Sequence, residues 1–254
     1  MSGTGRTGDG RGRLGNVLSS LAVAVGCVLF LGGFAWGAVV YKPYTVPTAS
    51  MSPTVAAGDR VLAERIDGAD VRRGDVVVFT DSVWGDQPMV KRVVGTGGDK
   101  VACCDADGRL TVNGEPIDEP YLQGQSFGEG RAGAPVAQQD FRAAVPKGRV
   151  FLLGDERSTS LDSRVYLDDP GQGSVPLSAV HARLDAVAWP SQSLIERPRS
   201  FAGLPGGISA AGPLLLQLGA AAVGALLILA GSVHSAVVAR ASRRTRTAEP
   251  ARGR

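Results

Sequence analysis

Two stretches of the chain, Leu14 to Val40 and Phe201 to Ala239, contain no charged residue, and between them hydrophobic residues come only in short bursts. Each uncharged stretch holds more than the roughly 20 apolar residues that cross a hydrocarbon layer about 30 Å thick. The pattern predicts membrane helices over 17–41 and 213–239. A cleavable signal peptide has an apolar core of about 7–15 residues. The first stretch is considerably longer, so it reads as an uncleaved anchor. The second is rich in Ala, Gly and Leu and runs into a basic tail, which favours a membrane helix over a buried core helix.

Between these stretches the bursts have strand character. Asp75-Val76-Val77-Val78-Phe79, Val90-Lys91-Arg92-Val93-Val94 and Val150-Phe151-Leu152-Leu153 are β-branched or aromatic runs. They are bounded by the turn-forming pairs Arg73-Gly74, Gly97-Gly98 and Gly154-Asp155. Leu110-Thr111-Val112 alternates and then meets Asn113-Gly114, a strong hairpin signal. A late strand is expected over Ala179 to Trp189. Long helical periodicity is missing, so a mainly β domain, an antiparallel sheet, is predicted over 42–200. Gln123 to Asp140, with its Gly and Pro, reads as an exposed, mobile loop. Leu194 to Gly207 has linker composition, and 201–212 is assigned as the linker back to the membrane.

Charge adds an orientation. At 254 residues, 44% hydrophobic and net +3, the chain suits one domain plus membrane segments. Arg6, Arg11 and Arg13 lie in the N-terminal segment 1–16, and Arg240, Arg243, Arg244, Arg246, Arg252 and Arg254 in the tail 240–254. The positive-inside rule puts both termini in the cytoplasm and the β domain outside. The basic tail then serves as a solvated topological anchor, and no nucleic-acid partner is expected. Cys27 lies within the first span, while Cys103 and Cys104 are adjacent in the outer domain, where free thiols or a loop disulfide are both open. There are too few neighbouring Cys or His ligands for a metal site.

The chemistry centres on Ser50, nine positions after Tyr41 in Pro47-Thr48-Ala49-Ser50-Met51-Ser52-Pro53-Thr54. A serine needs a base, and a lysine can serve only as the neutral amine. Burial among apolar groups favours that form. Lys91 is framed by Met89, Val90, Val93 and Val94, of which Met89 and Val93 share its face in an alternating strand. Ser–Lys pairs are a known variant of nucleophile and base. His181 is the outer domain's one histidine, in a strand-like run without a motif, and reads as filler; His234 lies in the second span.

A third segment, Gly154-Asp155-Glu156-Arg157-Ser158-Thr159-Ser160-Leu161-Asp162-Ser163-Arg164, could alone be a salt-bridged polar loop. With the others it closely resembles the Gly-Asp-Asn-Arg-x-x-Ser-x-Asp-Ser-Arg block of bacterial type I signal peptidases. The other blocks follow in family order: Ser50-Met51-Ser52-Pro53-Thr54, Arg73-Gly74-Asp75-Val76-Val77-Val78-Phe79 and Lys91-Arg92-Val93-Val94-Gly95. Val112-Asn113-Gly114, Glu119-Pro120-Tyr121-Leu122, Val145-Pro146-Lys147-Gly148 and Ala188-Trp189-Pro190 are also familiar from the family. With a second span, the chain is similar to an actinobacterial form.

The resemblance implies a membrane-bound serine endopeptidase without cofactor or metal, acting on secretory preproteins at the bilayer and beside the secretion translocon. It implies Ser50 as nucleophile and Lys91 as base, with the Ser50 N–H and the Thr48 hydroxyl as oxyanion donors. Ser160 would orient the lysine amine. Asp155, Arg157, Asp162, Ser163 and Arg164 would support the site. Tyr44, Val46, Pro47 and Val90 would line shallow pockets for small side chains of Ala-x-Ala type. Glu156 stands where the family usually has asparagine, and its charge would tend to raise the lysine pKa unless paired with Arg157 or turned to solvent. Met51 and Val55 are expected to dip into the lipid interface. The alternatives are a specialist for a few surface proteins such as pilins, and an inactive membrane-anchored binding domain; a LexA-like self-cleaving repressor is disfavoured by the two spans.

Overall fold

The computed structural model describes residues 9–122 and 140–247. The expected loop Gln123 to Asp140 therefore lies outside the described residues, apart from Asp140. The chain divides into two units: one comprises both long helices, and the other, Val40–Gly212, contains the strands.

Helix α1 spans Asp9–Val40 and helix α2 spans Leu214–Thr247. Their apolar stretches, Gly15–Val40 (26 residues) and Leu214–Ala241 (28 residues), are long enough to cross a bilayer. The two helices approach closely through small residues. A Cβ on Gly26 would lie 2.7 Å from the Gly224 carbonyl oxygen, and one on Gly231 would lie 2.8 Å from that of Ser19. Ser235 Oγ donates to Ser19 Oγ at 3.0 Å. Val17, Leu21, Val28, Leu31, Leu215, Leu226 and Leu229 are exposed, as side chains facing lipid would be.

In the second unit the strands are β1 (Tyr41–Thr45), β2 (Arg60–Arg65), β3 (Val76–Asp81), β4 (Gly85–Thr96), β5 (Lys100–Cys103) and β6 (Thr111–Val112). They continue with β7 (Glu115–Pro116), β8 (Phe141–Ala144), β9 (Arg149–Leu153), β10 (Val175–Pro176), β11 (Val180–Trp189) and β12 (Ser193–Leu194). The larger sheet has the order β1-β2-β11-β3-β4-β9-β10, with β12 paired to β11, and the smaller has the order β7-β6-β5-β8. Every pairing is antiparallel. The β-branched bursts read from the sequence form the centre of the larger sheet. The Asn113-Gly114 hairpin joins β6 to β7 with positive φ at both residues, +57° and +87°, as a two-residue turn of this kind requires.

Three apolar clusters hold the domain. One joins Val94, Val101, Leu110, Phe151 and Leu153 across the two sheets. A second gathers Val46, Met51, Val55, Val61, Val76 and Leu184. The third holds Val77, Phe79, Trp84, Val93 and Leu152, with Met89 packed against it. The segment 201–212, expected as a linker, is instead part of this unit. Phe201 is fully buried and Leu204 nearly so in the first cluster, and the Pro205 carbonyl accepts from Arg73 Nη1 at 2.6 Å. Cys103 and Cys104 form a vicinal disulfide at the end of β5, and Cys27 is a free thiol in α1.

Candidate active site

Ser50 lies in the turn after β1. That turn is closed by backbone bonds from Ser52 to Ala49 and from Val55 to Met51, both 2.9 Å. Met51 and Val55 are completely buried and anchor it in the second apolar cluster. This corrects the expectation that they dip into lipid: the turn folds both side chains inward, and Ser50 remains half-buried between core and solvent.

Lys91 sits mid-strand in β4, opposite Val77 of β3, and is only 4% exposed. Its Nζ lies 2.7 Å from Ser50 Oγ and 3.2 Å from the Val90 carbonyl. Burial pulls the amine below the ordinary lysine range, while the carboxylates of Asp162 and then Asp155 pull it back up. Of the proposed oxyanion donors, Thr48 is exposed, and its hydroxyl approaches Ser50 Oγ at 3.4 Å.

The polar segment after β9 packs against this pair. Glu156 N–H donates to the Ser50 carbonyl at 3.1 Å, and Ser160 N–H to the Glu156 carbonyl at 3.1 Å. Gly154 permits the approach: a Cβ there would lie 2.0 Å from Ser160 Oγ and 2.6 Å from the Ser50 carbonyl oxygen. Ser160 Oγ is buried beside Gly154 without a hydrogen-bond partner among the described residues, so the expected bond to the lysine amine is not formed in this conformation.

Asp155, Arg157 and Asp162 of the segment are buried and paired, while Glu156 and Arg164 are half-buried. Asp155 receives Arg92 Nε at 2.8 Å and Nη2 at 2.7 Å, and the Thr54 hydroxyl at 2.6 Å. Arg92 also donates to the Gly74 carbonyl at 2.8 Å, which gives the Arg73-Gly74-Asp75 block a place in the same scaffold. Asp162 accepts from Gly154 N–H at 3.0 Å and from Arg164 Nε and Nη2 at 2.8 Å. Ser163 Oγ accepts from Leu152 N–H and donates to the Gly173 carbonyl, both at 2.8 Å. Glu156 does not pair with Arg157; it accepts the Ser158 hydroxyl at 2.5 Å, and it is not among the charges that move Lys91. Arg157 turns to Glu119 instead.

The four pocket residues differ in access. Pro47 is exposed, Tyr44 and Val90 are half-buried beside the second cluster, and Val46 is buried within it. His181 is exposed on β11. No group of three or more metal-ligating side chains occurs among the described residues. Sequence reasoning missed Thr54, Arg92, Glu119 and Tyr121. For all four the signal was position: each lies inside a block already singled out.

A serine hydroxyl in contact with a buried amine is the arrangement of a serine hydrolase, here on a β domain whose chain also carries two apolar helices. Residues 15–189 match the family "Signal peptidase, peptidase S26". The probable signal peptidase I of Mycobacterium leprae is 30% identical over 201 residues, which cover 59% of this chain and 69% of that protein. Signal peptidase I of Mycobacterium tuberculosis is 30% identical over 194 residues, covering 59% of this chain and 66% of that protein. A crystal structure of a signal peptidase I from Enterococcus faecalis is 29% identical, with a TM-score of 0.36, covering 45% of this chain and 96% of that one. The chain belongs to the signal peptidase family, peptidase S26, and is a serine endopeptidase of the signal peptidase I class.

Proposed function

We propose that this enzyme removes signal peptides from secretory preproteins through a Ser50–Lys91 dyad, cutting after small residues. The observation that carries the reading is the 2.7 Å contact between Ser50 Oγ and the amine of Lys91, a lysine that burial inclines toward its neutral, basic form. In this scheme Ser50 Oγ attacks the scissile carbonyl as its proton passes to Lys91 Nζ. The Ser50 N–H and the Thr48 hydroxyl then hold the oxyanion, where one such donor is worth about 3 kcal/mol. Lys91 returns the proton to the leaving amine as the C–N bond breaks, leaving the signal peptide esterified to Ser50. A water deprotonated by Lys91 cleaves the ester and releases the peptide with a free carboxylate. Asp155, Arg157, Asp162, Ser163 and Arg164 keep the segment carrying Ser160 against the pair.

Tyr44, Pro47 and Val90 fit the role of a shallow, partly apolar lining that admits small side chains and rejects large ones by overpacking. Val46 contributes to that wall from behind, since its side chain is buried. The basic termini support a topology with both ends cytoplasmic and the domain outside. Ser50 then follows the end of α1 by ten residues, close in sequence to where the first span would leave the bilayer. Tethering raises the effective concentration of enzyme for membrane-bound substrate. The test is cleavage of a purified preprotein by the full chain in detergent, with Ser50→Ala in parallel. One cut after a small residue, absent in the variant, is expected; equal cleavage by the variant would remove Ser50 from the reaction.

A further inference from the structure

We propose that Glu119 and Tyr121 are positioning residues for this reaction, clamping two arginines so that the Gly154–Ser160 segment stays seated on Ser50. The two residues flank Pro120 at the end of the small-sheet region, and neither touches Ser50 or Lys91. Glu119 binds Arg157 through both carboxylate oxygens, with Nη1 at 2.9 Å from one and Nη2 on the other. The Tyr121 hydroxyl donates to Glu119 at 2.5 Å and lies 3.4 Å from Arg157 Nη2. Arg157 in turn donates from Nε to the Gly154 carbonyl at 3.0 Å. Gly154 is the residue where Ser160 and the Ser50 carbonyl leave no room for a Cβ.

Tyr121 serves a second arginine. Its ring lies 3.9 Å beneath the guanidinium of Arg92, the neighbour of Lys91 and the partner of Asp155. Glu119 and Tyr121, on either side of Pro120, thus hold Arg92 of the base strand and Arg157 of the polar segment at once. Arg92 and Arg157 are nearly fully buried, so neither can satisfy its donors with water if the clamp is lost. Bidentate carboxylate pairing and stacking on an aromatic face are the two contacts that best fix a planar guanidinium. The consequence is a path from Glu119 through Arg157 to Gly154 and from Tyr121 through Arg92 to Asp155, ending on two consecutive residues, of which Gly154 lies against the Ser50 carbonyl and Asp155 holds the arginine next to Lys91.

The proposal rests on Ser50 and Lys91 being that pair, so Ser50→Ala and Lys91→Ala are assayed beside the clamp variants. The full chain in detergent is given a preprotein, and rates are expressed per folded molecule, counted from intrinsic fluorescence. Glu119→Gln and Tyr121→Leu are expected to lower kcat about 10- to 100-fold with KM changed less than about twofold, as for a small misplacement of catalytic groups. Tyr121→Phe keeps the ring over Arg92 and is expected to stay within about threefold of wild type. Wild-type kcat per folded molecule in both Glu119→Gln and Tyr121→Leu overturns the proposal. Should Glu119→Gln not fold, equal kcat in Tyr121→Leu and Tyr121→Phe overturns it instead. If Ser50→Ala and Lys91→Ala still cleave, the dyad reading fails; if they are inactive while the clamp variants are normal, only the clamp fails.

Discussion

Replacing Gly154 by alanine puts a methyl group where Ser160 and Ser50 already are. The added carbon would stand 2.0 Å from Ser160 Oγ, 2.4 Å from Ser160 Cβ and 2.6 Å from the Ser50 carbonyl oxygen. Non-bonded carbon contacts settle near 3.5 Å, so about 1 Å of movement must be shared among three groups. Gly154 has no positive φ to protect, and the penalty is therefore steric. Overpacking of this kind costs about 1–3 kcal/mol of stability, which a domain of this size can survive. A displacement of about 1 Å at a reacting group costs about 100-fold in rate. Gly154→Ala should thus remain folded and cleave preprotein about 100-fold more slowly in single-turnover assays. Gly203→Ala, where nothing lies within 4 Å of the new carbon, is the control and should behave as wild type. A folded Gly154→Ala enzyme within about twofold of wild-type rate would refute the claim that the polar segment is seated on Ser50.

Activity should fall as pH drops through the folded-state pKa of Lys91, because protonation removes the base; that pKa lies below the ordinary lysine range because of burial. Asp162→Asn removes the largest charge opposing this shift, so the acid limb should move to lower pH in a pH–rate profile, and an unmoved or raised limb would contradict it. Asp155→Ala leaves Arg92 buried and unpaired, and chemical denaturation followed by the buried Trp84 should show a loss of about 3–5 kcal/mol. In the membrane unit, Ser19→Cys/Ser235→Cys should cross-link readily, since the two hydroxyls lie 3.0 Å apart. Gly224→Leu should abolish that link, because even a Cβ there meets Phe30 N at 2.6 Å; an undiminished link would count against the helix contact.

The elements legible in the sequence were those whose signal is local. Val76–Phe79 and Val150–Leu153 announced central strands because a strand buried on both faces must be apolar along its length. Asn113-Gly114 announced its hairpin because few other pairs adopt positive φ twice. Pairings across the chain were hidden. Arg92 with Asp155 and Arg157 with Glu119 are separated by 63 and 38 residues, and nothing in a local window says which carboxylate an arginine will meet. Phe201 and Leu204 escaped notice for a related reason: two isolated apolar residues among Gly and Pro have no periodicity, although both are buried. Met51 and Val55 show the opposite failure, since their proximity to the membrane suggested lipid contact and the turn after Ser50 buries them completely.

The central claim is that Ser50 becomes covalently acylated with Lys91 as its base. Rapid acid quench of the full-length enzyme during turnover of a preprotein whose signal peptide ends in an Ala-x-Ala-like site, followed by mass spectrometry of the proteolysed enzyme, tests it directly. The account predicts a signal-peptide ester on the peptide containing Ser50, present in wild type and missing in Lys91→Ala. An adduct on a different residue, or undiminished acylation of Ser50 in Lys91→Ala, would contradict it.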